Sequence, residues 1–312
     1  MPIAYVEAFN YFKYAQEKWF GSLDNLKAVM YICYGLTYDE LYKNFLMKRK
    51  HKNKNLKLID IQHGGNYGID CNHLMKVEYE ISNLIYTWGF EYNTRNCKTI
   101  RMPITKLLNR KVNRSKSDGT ILYVSYSYFK DFTMMESSWV LYRHTIENEL
   151  SFLKKIDNEI RNRIVVRLHP NEKMWGVKEN IKSEIQSIKF DSINDFYTSL
   201  ERCSIVICSD WNTTCIEALC LGYPVIVLKP LDECEVEAKQ DAINMKKFGL
   251  LYENWEDLLT FVNGLTNAKV INDWWNNKER IQFVNYLKEK YCYNPTNALE
   301  IWQNELLKYT NS

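Results

Sequence analysis

Along most of the chain, short apolar runs alternate with longer stretches of helical spacing, the pattern of parallel α/β layers. In the first part, Ala28–Tyr34 and Leu56–Gln62 predict strands, Asn83–Thr87 and Lys98–Met102 predict weaker ones, and Tyr38–Arg49 predicts a helix. The second part is clearer. Strands are expected at Thr120–Ser125, Arg163–Leu168, Ser204–Cys208 and Pro224–Leu228, and helices at Trp139–Ile156, Ser192–Arg202 and Thr214–Leu221. Ser192 and Asp195 form a candidate capping box for the second of these helices. Gly222 fits the stop of the third. The polar, basic stretch Leu107–Gly119 reads as a linker, and Asp273–Leu307 as a helical tail rich in charge and aromatics. The chain therefore divides into 1–112, 118–270 and a tail 271–312, with a parallel sheet in each of the first two parts.

Composition adds limits. Hydrophobic residues at 46% and charged ones at 25% suit a folded globular chain. A net charge of +3 is too small to argue for nucleic acid. The start, Met1 to Phe20, lacks the apolar core of a signal peptide, and no run is long enough to span a bilayer. A cytoplasmic protein is expected. The nine cysteines include no C-x-x-C pair, and Cys203, Cys208, Cys215 and Cys220 fall in apolar runs. Buried free thiols account for them better than zinc does.

In parallel sheets, ligands sit beyond the carboxyl ends of the strands, so polar residues there are the candidates. Three such segments stand out. Gln62-His63-Gly64-Gly65-Asn66-Tyr67-Gly68 follows the strand ending at Ile61. Its glycines allow a tight, closely approaching backbone, and His63 is able to exchange a proton near neutral pH. A plain tight turn with an incidental histidine explains it equally well. The spacing does not match a dinucleotide fingerprint. Arg167-Leu168-His169-Pro170 ends a strand, and Pro170 biases His169 toward an extended conformation from which the imidazole would meet a phosphate. Arg167 faces either that cleft or the sheet surface. The third segment, Ser209 to Glu217, runs from a strand past Asn212 and the hydroxyls of Ser209, Thr213 and Thr214 into a helix N-terminus, a ready anion site. Glu217 suits ribose hydroxyls, although Thr214-x-x-Glu217 also reads as a capping box.

There is no Asp-x-Asp pair and no G-x-x-x-x-G-K-[ST]. No metal and no cofactor are expected; helix dipole, histidine and positive charge must neutralise a leaving phosphate.

Together these segments resemble a bacterial family of surface-polysaccharide transferases, which carries Q-H-G-G-x-Y-G, then an Arg–Pro or Arg–His–Pro element, then a Ser–Asn–Thr–Glu element. Further similarity appears at Tyr86-Thr87-Trp88-Gly89 and at Asp273-Trp274-Trp275-Asn276, so it runs from Lys27 to Tyr291. More distantly, the set is similar to capsule Kdo-transferases, polysialyltransferases and CDP-glycerol glycerophosphotransferases. The resemblance implies a GT-B fold: two Rossmann-type domains with the active-site cleft between them. It implies a metal-independent glycosyltransferase using a CMP- or CDP-linked donor, with UDP as the alternative, and a surface polysaccharide or lipopolysaccharide acceptor. His169 and the Ser209–Thr214 loop would then bind donor phosphate and Glu217 the ribose. His63 would be the base, with Gln62, Gly64, Gly65 and Tyr67 on the acceptor side.

Asp70 and Glu78 are the alternatives to His63 as the base. Two rivals stay open: a nucleotide-sugar 2-epimerase, and a non-catalytic transferase relative that binds nucleotide or glycan, which the short stretch before His63 favours. Lys48-Arg49-Lys50-His51-Lys52, with Lys54 and Lys57, reads first as a solvated helix end; a peripheral contact with anionic membrane is the second reading. Trp175 is read as a packing or base-stacking residue, Trp274 and Trp275 as docking the tail, and His73 and His144 as packing or surface residues.

Overall fold

The computed structural model describes residues 26–32, 40–71, 75–92, 95, 97–108, 110, 117–126, 139–170, 172 and 176–310, with Asn10, Tyr11, Tyr14, Ala15 and Lys18. Trp175 and His73 lie outside them. The chain forms two compact units: Met1–His63, Leu74–Ile104 and Pro295–Ser312 make unit 1, and Gly64–His73 with Thr105–Asn294 make unit 2.

Unit 1 holds β1 (Ala28–Tyr31), α1 (Glu40–Lys52), β2 (Lys57–Ile61), α2 (Met75–Ile81), β3 (Leu84–Thr87) and β4 (Lys98–Arg101). The strands are parallel and lie in chain order, β1-β2-β3-β4. Tyr31, Phe45, Leu46, Leu56 and Leu58 form one core cluster beneath α1. A last helix, Ala298–Thr310, returns to this sheet. Its Trp302 indole donates to the Pro103 carbonyl (2.9 Å) and meets the Tyr86 ring edge-on at 5.5 Å, while Tyr86 donates to Glu305 at 3.0 Å.

Unit 2 carries β5 (Thr120–Val124), α3 (Trp139–Lys155), α4 (Asn158–Arg161), β6 (Ile164–Arg167), α5 (Val177–Glu184), β7 (Lys189–Phe190), α6 (Phe196–Arg202), β8 (Cys203–Cys208), α7 (Thr213–Cys220), β9 (Val225–Leu228), α8 (Val236–Lys247), β10 (Leu251–Tyr252), α9 (Trp255–Asn263), α10 (Ala268–Trp275) and α11 (Lys278–Tyr291). The sheet order is β10-β9-β8-β5-β6-β7, parallel throughout. β8, Cys-Ser-Ile-Val-Ile-Cys, is buried at every residue, as a central strand covered on both faces must be. One continuous core joins β5, β6, β8 and β9 to α3, α5, α9 and α10.

Several boundaries differ from the sequence expectation. The Ser192 capping box does not form; α6 starts at Phe196, capped by Asp195, whose carboxylate accepts from the Thr198 N–H (3.0 Å). The cap of α7 is Asn212, accepting from the Cys215 N–H (3.2 Å), so Thr214 is inside the helix and no Thr214–Glu217 box exists. Gly222 has φ of 81° and stops α7 as expected. The tail is not one piece: α10 and α11 belong to unit 2, while Ala298–Thr310 (α12) belongs to unit 1, with Pro295 between them. Unit 2 takes up the chain at Thr105, earlier than the expected linker end. Trp274 and Trp275 pack within unit 2, Trp274 against Phe261 and under Arg280.

Candidate functional site

In unit 2 the chain builds β5, β6 and β7 to one side and β8, β9 and β10 to the other. The strand order therefore reverses between β5 and β8, the switch point where such sheets leave a crevice beyond their carboxyl ends. The residues at that point explain its shape. Ser209 gives both its N–H (3.1 Å) and its hydroxyl (3.2 Å) to the Val124 carbonyl, so it straps β8 to β5 and is itself buried. Ser125, at the end of β5, donates to the buried Glu149 carboxylate at 2.9 Å, and Tyr123 donates to the same group at 2.7 Å. From Cys215 onward α7 is buried. Its N-terminus, Asn212, Thr213 and Thr214, is half-exposed. There the unsatisfied N–H groups and the helix dipole favour an anion.

The glycine segment reaches the same helix end within unit 2. The Gly65 N–H donates to the Thr213 hydroxyl at 2.8 Å. A Cβ on Gly65 would lie 2.7–2.8 Å from Thr213 Cα, Thr213 N and the Asn212 carbonyl, and one on Gly64 would lie 3.2 Å from Thr213 Oγ1. Glycine is required at 65 because backbone packs on backbone there. Thr213 is thus engaged by the protein, whereas Thr214, beside it in the first turn of α7, is half-exposed. Further along, Glu235 donates its N–H to Ile69 O (2.7 Å) and Cys71 donates to Glu233 O (3.1 Å), around an antiparallel bridge between Asp70 and Cys234.

A buried lysine completes this arrangement. Lys229, directly after β9, is 3% exposed, and its ammonium lies 3.2 Å from Asp70, 3.2 Å from Asp210 and 3.1 Å from Glu233. Burial alone would lower its pKa, but the three carboxylates outweigh it and hold Lys229 above its ordinary value. Burial pushes the Asp210 carboxyl up, against the pull of Lys229. The sequence reading missed Lys229. The one available signal was a lysine ending an apolar strand, followed by Pro230 and the acidic pair Asp232–Glu233.

Glu217 lies on α7 one turn from Thr213. It is 6% exposed, accepts from the Tyr197 hydroxyl at 3.1 Å and pairs with Lys106 at 3.5 Å. Burial raises its pKa; Lys106 and Tyr197 oppose that. Arg110 sits over the Tyr197 ring at 4.6 Å, so Lys106, Arg110 and Tyr197 form a cationic and aromatic rim that the sequence reading did not single out.

Other expected site residues are employed differently. The Arg167 guanidinium is committed to Asp191 (2.5 Å), the Ile193 carbonyl (2.8 Å), Ser199 (3.2 Å) and the Asn194 carbonyl (2.9 Å), and stacks on Phe196. It ties the 191–199 stretch to β6 and is not displayed to a ligand. His169 is half-buried, and burial lowers its pKa, so at pH 7 it offers a neutral imidazole in place of the expected charge-assisted bond. Tyr67 is fully buried.

In unit 1, Gln62 is buried, and its Oε1 accepts from the Trp88 N–H at 2.6 Å, clamping β2 to the end of β3. His63 is half-buried and is the last residue of unit 1 before the chain enters the glycine segment. Neither alternative base fits. Asp70 is engaged by Lys229, and Glu78 is 2% exposed beside the fully buried Asp60. Burial first, and the Glu78 carboxylate second, push the Asp60 carboxyl up to about 10.

Comparison with solved structures places this architecture. TarM of S. aureus matches with a TM-score of 0.55 at 16% identity, over 94% of this chain and 57% of that one. S. aureus MnaA, solved with UDP, matches with a TM-score of 0.51 at 13% identity, over 98% of this chain and 79% of that one. WaaG, described as a glycosyltransferase involved in lipopolysaccharide biosynthesis, matches at a TM-score of 0.49 and 10% identity, over 98% and 83%. The chain spans little more than half the length of TarM. No curated protein matches by sequence. The fold is that of the GT-B class, α/β with two parallel-sheet domains. A family model, the LIC12162 family transferase, matches residues 1–306, and the chain belongs to that family.

Proposed function

We propose that this transferase moves a sugar from a nucleotide-activated donor to a glycan of the bacterial surface. The observation that carries the reading is the half-exposed N-terminus of α7, with Thr214, at the switch point of the unit 2 sheet. The donor's phosphates would rest on the N–H groups there, with Thr214 adding a hydroxyl and His169 a neutral hydrogen bond. Glu217 would take the ribose hydroxyls, exchanging its contact with the exposed Lys106. A CMP- or CDP-linked donor is favoured from the motif likeness; UDP, which MnaA holds, is the alternative. His63 would remove the proton of the acceptor hydroxyl as that oxygen attacks the anomeric carbon and the nucleotide phosphate departs.

Calorimetry with CMP, CDP and UDP tests the site. Thr214→Ala is expected to weaken the preferred nucleotide about tenfold, the value of one hydrogen bond to a charged group. Thr214→Glu is expected to abolish binding by repulsion. Unchanged affinity in Thr214→Glu would discard the site. Nucleotide release from a donor panel, with and without glycan acceptors, tests the chemistry. His63→Ala is expected to lower kcat about 10²–10⁴-fold while donor affinity stays. Acceptor-independent isomerisation of the donor sugar would instead identify an epimerase, and binding without turnover a non-catalytic relative.

A further inference from the structure

The edge of the unit 1 sheet opposite His63 has a chemistry that the transfer reaction does not use. By register, Lys27, Lys57 and Lys98 stand at the amino-terminal ends of β1, β2 and β4, and all three are exposed. The connection from α1 to β2 adds exposed Lys52 and Lys54 at the same edge. Lys50 folds that connection down: its ammonium donates to the Leu56 carbonyl (2.5 Å), to Asn83 Oδ1 (3.1 Å) and to the Lys54 carbonyl (3.3 Å). Lys50 is spent internally, and the lysines after it are left outward. The exposed Glu80, three residues before Asn83, takes one charge off that total.

Apolar surface adjoins these charges. α12 crosses the sheet from Pro103, past Tyr86, to Lys57, whose ammonium lies 6.0 Å from the centre of the Tyr309 ring. Its last turns therefore reach the lysine-rich edge. They carry Leu306 and Leu307, which are 40% and 43% exposed, while Trp302, a turn earlier on the helix, is buried. A soluble polyanion would be served by the lysines alone. Exposed leucines on a helix end that reaches a lysine-rich edge suit a surface that is anionic outside and hydrocarbon beneath.

We propose that this edge, Lys27, Lys52, Lys54, Lys57 and Lys98 with Leu306 and Leu307, seats the protein on an anionic lipid bilayer. The contact so proposed is peripheral and, with five lysines against two leucines, electrostatic in its main part. The proposal is separate from the sugar-transfer reading, because partition onto lipid is measured with no donor present.

The test is co-sedimentation of the full chain with vesicles of phosphatidylcholine, alone or mixed with phosphatidylglycerol, at low and high salt. Binding is expected only to the anionic vesicles, weakening as salt rises. Lys52→Glu/Lys54→Glu/Lys57→Glu is expected to lower partition by more than about a hundredfold, since each basic residue contributes about fivefold. Leu306→Ser/Leu307→Ser, which leaves the charges alone, is expected to lower it roughly tenfold. Circular dichroism confirms that each variant is folded. Lys239→Glu/Lys247→Glu, on α8 of unit 2, should bind as the parent does. The proposal is overturned by absence of binding to anionic vesicles. It is equally overturned by equal loss in the α8 variant, or by capture on RNA without capture on vesicles.

Discussion

Each unit buries ionisable groups, and the two solve the problem in opposite ways. In unit 2, Lys229 draws Asp70, Asp210 and Glu233 around one ammonium. In unit 1, Asp60 and Glu78 lie side by side in the core, and burial together with the Glu78 carboxylate keeps Asp60 protonated at neutral pH. The first cluster is cross-linking: its carboxylates come from the glycine segment, from the end of β8 and from the turn after β9. The second joins only β2 to α2. A charge paired with its opposite ties distant chain segments together, whereas two like charges are tolerated only at the cost of holding a proton.

The largest effect should come from breaking the first cluster. Lys229→Met leaves buried Asp210 without its cation and is expected to cost about 3–5 kcal/mol, read by denaturant unfolding. The glycine segment should loosen with it, visible as faster amide exchange at Ile69 and Cys71. Unfolding at the parent's denaturant midpoint would show that the cluster does not hold the fold.

The second cluster should respond in the other direction. The folded-state pKa of Asp60 is raised, from 3.8 to about 10, so its contribution is full below pH 3.8 and is lost as pH rises toward 10. Stability of unit 1 should therefore fall with pH across the neutral range. Asp60→Asn removes that slope and is expected to stabilise the protein by about 1–3 kcal/mol at pH 7. Thermal melts from pH 5 to 9 of roughly equal steepness in parent and variant would contradict it. Lys229 behaves differently: its pKa lies above 10.5 when folded, so its contribution is intact below 10.5 and lost only above it.

Two smaller changes sharpen the contrast by touching only the contact between the glycine segment and the start of α7. Gly65→Ala places a methyl group against the backbone of Asn212 and Thr213 and is expected to cost about 1–3 kcal/mol. Thr213→Val removes only the hydroxyl that accepts from Gly65 and should cost about 0.5–1.5 kcal/mol. If Gly65→Ala melted like the parent, the close packing would have to be relaxed in solution.

What the sequence disclosed follows from the range of the interactions. β8 and β9 were readable because a buried parallel strand is a continuous apolar run, and Gly222 because a helix stop is local. β7 and β10, two residues each, are too short to leave a period. The three polar strand ends were readable as a set, yet the tasks of single residues were not. Arg167 was open to either face, and its partners at 191–199 decided the matter. Asp70 looked like a free carboxylate because Lys229 is 159 positions away. Asn212, not Thr214, caps α7, since both residue types suit a cap and the preceding loop chooses between them.

The path of the chain limits how the protein may be dissected. Its backbone passes from one unit to the other after His63, His73, Ile104 and Asn294. A cut at Ile104 would strip the smaller sheet of the helix that carries Trp302, and would strip the larger one of the strand partner for Cys234 and the counter-charge that Asp70 supplies. Neither fragment would be self-sufficient. Gene shuffling that trades unit 2 between relatives should therefore carry residues 64–73 along with 105–294, and leave 295–312 behind with unit 1.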